Sequence, residues 1–201
     1  RGGAIYSSAH KQITAINCTF SGNSSSNGGA IYTGTPFSSN RPLTVSNCTF
    51  WNNLCTDGTG KGSVINSGGL VEMYNNIIYD SDILHGKSRI HMNSRSGILR
   101  NSNSSDPSPI DQAVNLIRGG VASITMEVGA ELSLGDSSIT ILDGDPEFIN
   151  STSSIGLDGI WGTADDGLRL ANGSMAIDGG KNSFLSEDKT DIDQDGDTTE
   201  S

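Results

Sequence analysis

The chain has 201 residues, of which 33% are apolar and 26 are glycine, and its formal net charge is −11. A chain this acidic lacks the general basic field that holds nucleic-acid phosphates, so we expect no nucleic-acid partner. No run approaches the roughly 18 apolar residues of a membrane span, and the sequence shows no signal peptide. We therefore expect no membrane span in this segment.

Two short sequences each occur twice near the start of the chain. GGAIY stands at 2–6 and 28–32, and NCTFSGN at 17–23 is followed by NCTFWNN at 47–53. The first motif recurs after 26 residues and the second after 30. A period of this size, with an insertion tolerated on one side, is typical of a solenoid.

A third, weaker copy at 71–78 aligns with 13–20 and 43–50. In the aligned copies one set of alternate positions is apolar and the position between is polar, which predicts a strand with one buried face. Asn17, Asn47 and Asn75 then share a column at a sharp bend, where we expect an inward ladder of amides. The predicted core columns are 13/43/71, 15/45/73 and Phe20/Phe50/Ile78.

Glycine pairs precede the Ala-Ile-Tyr strands, and Gly62 begins a degenerate third copy. Glycine suits a sharp turn or a close approach of two backbones. Later in the chain we expect a loop at 101–109 and one helical turn at 111–117. Further strands are predicted at 83–84, 88–92, 97–99, 123–128 and 138–142.

These patterns predict an all-β, right-handed parallel β-helix with coils of about 22–30 residues. Residues 1–180 should form its coils, with irregular loops within 100–120 and 150–167. Residues 181–201 are an acidic segment, and we expect the chain to be an excised part of a longer protein because it begins in mid-repeat.

The chain has three cysteines, so a complete set of internal disulfides is excluded. Cys18 and Cys48 occupy equivalent repeat positions and should lie one coil apart, near the ~4.8 Å spacing of paired strands. That spacing allows a disulfide, and it equally allows a stack of two reduced, buried thiols. Both alternatives stay open at this point.

Two resemblances follow from these motifs. GGAI at 2–5 and 28–31, with F-x-x-N at 20–23 and 50–53, resembles the repeat of chlamydial polymorphic outer-membrane proteins. The run D-P-x-F at 145–148, G-S-x-A-I-D-x-G at 173–180 and T-D-x-D-x-D-G at 190–196 resembles the C-terminal part of bacterial surface β-helix proteins with a choice-of-anchor Q domain. The resemblance implies a secreted or surface-anchored bacterial protein and no defined enzymatic activity.

Two acidic stretches are candidate Ca²⁺ sites. The spacing of Asp191, Asp193, Asp195 and Asp197 matches the first half of an EF-hand-type loop, and the alternative is a flexible acidic tail. Asp158, Asp165 and Asp166 lie in a glycine-rich loop around Trp161. Three carboxylates there suit Ca²⁺, and a surface loop pinned by packing of Trp161 is the alternative.

The sequence shows no strong catalytic motif. His10, His85 and His91 lack the spacing of a zinc site. A carbohydrate-active enzyme, a polysaccharide lyase or a glycoside hydrolase working in a groove, is the alternative function, with its basic group or substrate clamp among Arg89, Arg95, Arg100 and Arg118. We expect instead a non-catalytic structural or adhesive segment at the bacterial cell surface, binding glycans or partner proteins through its loops.

Overall fold

The structure is a computed structural model. It describes residues 2–8, 12–34, 42–57, 61–79, 89–92, 98–100, 114–128, 130–133 and 140–181, and of residues 98–100, 131–133 and 140 only the backbone.

The described residues form short β-strands and two 3₁₀ turns, at Gly120–Ser123 and Ser151–Ser153, with no α-helix among them. Within this part of the chain, no helix is long and apolar enough to cross a membrane. The strands are β1 Ile5–Ser7, β2 Ile13–Ile16, β3 Thr19–Ser21, β4 Ser24–Ser25, β5 Ile31–Thr33, β6 Leu43–Ser46, β7 Thr49–Trp51, β8 Leu54–Cys55, β9 Ile65–Ser67, β10 Val71–Tyr74, β11 Ile77–Tyr79, β12 Ile90–Met92, β13 Ile98–Arg100, β14 Val114–Ile117, β15 Ile124–Met126, β16 Glu131–Ser133 and β17 Thr140–Leu142.

The strands form three five-stranded sheets and one two-stranded sheet, β4-β8. Sheet A has the order β1-β5-β9-β12-β15, sheet B β16-β13-β10-β6-β2 and sheet C β17-β14-β11-β7-β3. Every ladder in them is parallel. The chain visits the large sheets in turn, as β1, β2, β3 and again as β5, β6, β7, so the prediction of an all-β fold built from parallel sheets is confirmed.

The core consists of columns of apolar side chains that run across the sheets. The predicted columns are confirmed by register: Ile13 pairs with Leu43 and Leu43 with Val71, while Val45 lies between Ala15 and Met73. The Phe20 and Phe50 rings stack at 4.7 Å with an interplanar angle of 6°. Ile78 and Ile117 continue that column, because parallel in-register pairing places equivalent side chains one above the next.

Glycine is required where neighbouring backbones come closest. A Cβ on Gly29 would lie 2.1 Å from the carbonyl oxygen of Ser63, closer than any real contact. Gly2, Gly28 and Gly62 all have positive φ (55°, 62° and 64°), and Ile65 pairs with Ile31. The third copy of the glycine motif predicted at Gly62 is therefore confirmed.

The predicted inward ladder of Asn17, Asn47 and Asn75 is wrong in one respect. All three have the expected left-handed backbone, with φ near 52°, but Asn17 is exposed and the other two are half-buried. The buried amide ladder lies one position later. Asn76 is 1% exposed and donates to Val45 O and Asn115 Oδ1, both at 2.9 Å, while its own Oδ1 accepts from Cys48 N. At Asn47 and Asn75 the residue in the left-handed bend is half-buried, and the residue after it, Cys48 or Asn76, is buried.

Two other expectations need correction. Register partners lie from 25 residues apart, Ile65 and Ile90, to 39 apart, Ile78 and Ile117, a wider range than expected. Val114–Ile117 is strand β14 rather than part of a helical turn, because Leu116 and Ile117 pair with β11 and extend its columns. The strand predictions at 83–84 and the loop prediction at 101–109 lie outside the described residues.

The three cysteines are free thiols. Cys48 is 1% exposed, and burial raises the pKa of its thiol to about 11. The prediction of two reduced, buried thiols is therefore only partly correct: both thiols are free, but Cys18 is exposed and only Cys48 is buried.

Candidate functional site

The outer face of sheet C carries an aromatic column. Trp51 and Tyr79 are register partners whose rings stack at 5.8 Å, and the Arg118 guanidinium lies 4.7 Å from the centre of the Tyr79 ring. Phe148 packs edge-on against both, at 5.6 Å from Trp51 and 6.5 Å from Tyr79. The phenylalanine of the D-P-x-F motif therefore holds residues 143–181, here called the C-terminal segment, against sheet C.

The two motifs of the C-terminal segment contact each other. Ser174, in the G-S-x-A-I-D motif, is 5% exposed and its hydroxyl donates to the carbonyl of Pro146. Ala171 N donates to Glu147 O at 2.8 Å, beside the antiparallel bridge between Phe148 and Leu170. The motifs are thus adjacent in space although about twenty-five residues separate them in sequence.

The end of the C-terminal segment is tied back to a strand bend. Asn75 Nδ2 donates to Lys181 O at 2.9 Å, and Lys181 N donates to Asn75 Oδ1 at 3.0 Å. Between this tie and the sheet lies a cleft of about 430 Å³ with apolar walls from Leu116, Leu142 and Met175. Asp178 and Lys181 also line it.

The loop at 157–167 is held by its own carboxylates. Asp165 accepts from the backbone N–H of Leu157 and of Asp158, and from the Thr163 hydroxyl at 2.7 Å. These bonds, that from Thr163 foremost, lower the pKa of Asp165. Asp166 Oδ2 accepts from Gly162 N at 2.7 Å and Asp158 Oδ1 from Ile160 N at 2.8 Å.

The tip of this loop is apolar and exposed. Leu157, Ile160 and Trp161 have relative exposures of 96%, 60% and 45%. Backbone-to-carboxylate hydrogen bonds hold the loop, and the Trp161 side chain is only partly covered, so the expectation that its packing pins the loop stays a prediction.

The calcium predictions stay predictions. Among the described residues, no three or more His, Cys, Asp or Glu side chains form a group suited to a metal ion. Carboxylate oxygens of Asp158, Asp165 and Asp166 accept hydrogen bonds from the loop backbone. Asp166 Oδ1, in contrast, is buried and has no hydrogen-bond partner in the described part of the chain. Asp191, Asp193, Asp195 and Asp197 lie outside the described residues.

A second polar cluster lies on sheet A, and no sequence pattern indicated it. His91 is 3% exposed, its Nδ1 lies 2.8 Å from Thr125 Oγ1, and its Nε2 lies 3.6 Å from Glu127 Oε1. Lys61 forms an ion pair with the same Glu127 oxygen. Register explains part of it, since His91 and Thr125 are cross-strand partners in β12 and β15, but Lys61 is 66 residues from Glu127 in sequence.

Electrostatics within the cluster favour a neutral imidazole and a charged carboxylate. Desolvation by burial, followed by the charge of Lys61, lowers the pKa of His91, and the charges of Glu127 and Asp57 oppose that shift. The hydrogen bond from Lys61 lowers the pKa of Glu127.

Of the four arginines, Arg89 and Arg118 lie in the same region, because the Arg89 guanidinium reaches Gly119 and, while burial raises the pKa of Tyr79, the charges of both arginines act to lower it. Arg89 is 7% exposed beside sheet A, and Arg118 covers Tyr79 on sheet C. Only the backbone of Arg100 is described, and Arg95 lies outside the described residues.

Comparison with known proteins gives no match: no protein-family model, no curated protein and no solved structure is significantly similar to this chain.

Proposed function

We propose that the chain is a right-handed parallel β-helix from a secreted or cell-surface bacterial protein, with a structural and adhesive role. The cyclic order of the strands supports the β-helix, since each passage through sheets A, B and C adds one parallel strand to each sheet. Right-handedness is the usual hand of parallel crossovers. The surface location rests on the resemblance of the repeat and C-terminal motifs.

The loop tip at Leu157, Ile160 and Trp161 carries the adhesive proposal. Large apolar side chains at such exposure lose unfavourable contact with water when a partner covers them. The hydrogen bonds of Asp165 and Asp166 hold the loop before binding, which reduces the entropy that association costs. Tryptophan is among the side chains that dominate binding energy at interfaces. Glycans and partner proteins are both suitable ligands for such a tip.

The experiment compares Trp161→Ala with Val121→Ala. Val121 is 47% exposed beside sheet A, so the control removes a similarly exposed apolar side chain away from the loop. Binding is measured on an array of neutral and acidic glycans and on immobilised extracellular-matrix proteins. We expect Trp161→Ala to weaken binding at least about tenfold, with a hot-spot cost of ~1.4 kcal/mol or more. The proposal fails if both variants bind as the parent does, or if the parent binds no probe.

The alternative, a polysaccharide lyase or glycoside hydrolase, stays a prediction. The same polysaccharides serve as substrates in an assay for unsaturated or reducing-end products. Robust product formation by the purified chain would replace the adhesive proposal.

A further inference from the structure

The cluster on sheet A places a hydroxyl and a carboxylate on opposite nitrogens of a buried imidazole. His91 is almost wholly buried, yet no described residue places a hydrogen-bond partner within 3.5 Å of its Nε2. Buried side-chain nitrogens are normally satisfied, so an orphan atom calls for an explanation. Glu127 Oε1 lies 3.6 Å from this nitrogen, slightly beyond hydrogen-bond range, and Lys61 forms an ion pair with the same oxygen.

The contacts of the two ring nitrogens select one tautomer. A bare Nε2 lone pair facing the Glu127 carboxylate would be repelled, whereas an Nε2–H is attracted to it. With the proton on Nε2, Nδ1 has only a lone pair and accepts the Thr125 hydroxyl proton across their 2.8 Å contact. The groups thus form a chain from the Thr125 hydroxyl through the His91 imidazole to the Glu127 carboxylate, which the Lys61 ammonium contacts.

Accessibility follows the same order. Thr125 is exposed on strand β15, while the imidazole behind it is 3% exposed. A hydroxyl hydrogen-bonded to a neutral imidazole, itself aligned by a carboxylate, is the arrangement that activates an oxygen nucleophile, and it is recognised by roles rather than by sequence order. We propose that Thr125, His91 and Glu127 form an acyl-transfer site that takes small carboxylic esters, a function beyond the adhesive role and independent of it.

The reaction balances with water as the only co-reactant. Thr125 Oγ attacks the ester carbonyl carbon while its proton passes to His91 Nδ1. The carbon–oxygen bond to the alcohol breaks, and the departing alkoxide takes the proton from His91. Water, deprotonated by His91 Nδ1, then attacks the acyl carbon; the bond to Thr125 Oγ breaks, His91 returns the proton to that oxygen, and the carboxylic acid leaves. Glu127 and Lys61 are positioning residues, because they act through the imidazole.

The first test uses p-nitrophenyl acetate and an organophosphorus fluoride on the intact chain. The organophosphorus reagent should form a Thr125 Oγ–phosphorus bond and release a fluoride ion. Intact-mass measurement detects the resulting adduct, and peptide mapping locates it. Thr125→Val, which preserves shape and removes the hydroxyl, should abolish the adduct and lower ester hydrolysis about 100-fold. Thr14→Val is the matched control, because Thr14 is also exposed on a strand, β2 of sheet B, outside the cluster.

Two results would overturn the proposal. One is a folded parent protein that carries no adduct on Thr125. The other is ester hydrolysis that falls in His91→Asn but not in Thr125→Val, because the imidazole would then act on the ester without the hydroxyl.

A pH profile separates positioning from structural support. Hydrolysis requires neutral His91, so the rate should fall on the acid side of the pKa of His91. Since the charge of Glu127 raises that pKa and the charge of Lys61 lowers it, Glu127→Gln should move the acid limb to lower pH and Lys61→Met to higher pH. Acid limbs at the same pH in Glu127→Gln, Lys61→Met and the parent would contradict the positioning roles of Glu127 and Lys61. The adhesive test at Trp161 uses a different surface and a binding readout, so either proposal can fail alone.

Discussion

The strands at residues 5–79 and the C-terminal segment place their side chains by different means. In the strands, parallel register puts equivalent residues in columns, as with Phe20, Phe50 and Ile78. The C-terminal segment has a single isolated bridge, between Phe148 and Leu170, and is held by side chains that bond to backbone. Repetition therefore fixes the scaffold, while single contacts fix the loops, and the apolar side chains left exposed are concentrated in the second region.

The largest expected effect sharpens this comparison at the core column. Phe50 is fully buried between Phe20 and Ile78, so Phe50→Ala should lower the free energy of unfolding by about 3–5 kcal/mol. Ile149→Ala, at a residue 56% exposed in the C-terminal segment, should change it by no more than about 0.5 kcal/mol. Chemical denaturation measures both, and equal losses would show that the two regions do not differ as described.

The next effect concerns the buried amide ladder. Asn76→Ala removes the acceptor of Cys48 N and the donor to Val45 O. Leaving such groups unsatisfied in the core should cost on the order of 3 kcal/mol. Asn47→Gly is the control, since it keeps the left-handed bend at φ 51° without strain and removes only a half-buried amide. Comparable midpoints of denaturation for the two variants would refute the assignment of the ladder to Asn76.

The difference between these two asparagine columns shows how far the sequence predicts the structure. A residue that repeats in the sequence implies an environment that repeats in the structure. The core columns that contain Phe20 and Ile13 are predicted correctly for that reason. The same column holds Cys18 and Cys48 in the early copies and the amides of Asn76 and Asn115 later, so no single residue type marks it along the chain. The cluster of Lys61, His91 and Glu127 is harder still to predict, because its members come from distant parts of the chain at unequal spacing.

The third prediction uses pH to test the buried imidazole. The pKa of folded His91 lies below its ordinary value, so the unfolded chain binds a proton first as the pH falls. Stability from this group is complete above the unfolded pKa, about 6.5, and is lost as the pH falls toward the folded pKa. Denaturation midpoints at stepwise lower pH should decline in the parent and decline less in His91→Asn. An equal decline would place the titrating group elsewhere.

The smallest effect is local and lies in the loop at 157–167. Asp165→Ala removes the acceptor shared by the Leu157 and Asp158 amides, so those amides should exchange hydrogen faster while global stability changes little. Asp158→Ala, which removes only the acceptor of Ile160 N, should speed exchange at Ile160 alone. The lowered pKa of Asp165 keeps its carboxylate ionised at a pH where an ordinary carboxyl is protonated. The protection of the two amides, measured relative to the intrinsic exchange rate at each pH, should therefore persist in mild acid and disappear once that pKa is crossed. Unchanged exchange at Leu157 in Asp165→Ala would mean that the carboxylate does not order the loop. Binding of a partner at Trp161 would then carry the full entropic cost of ordering the loop.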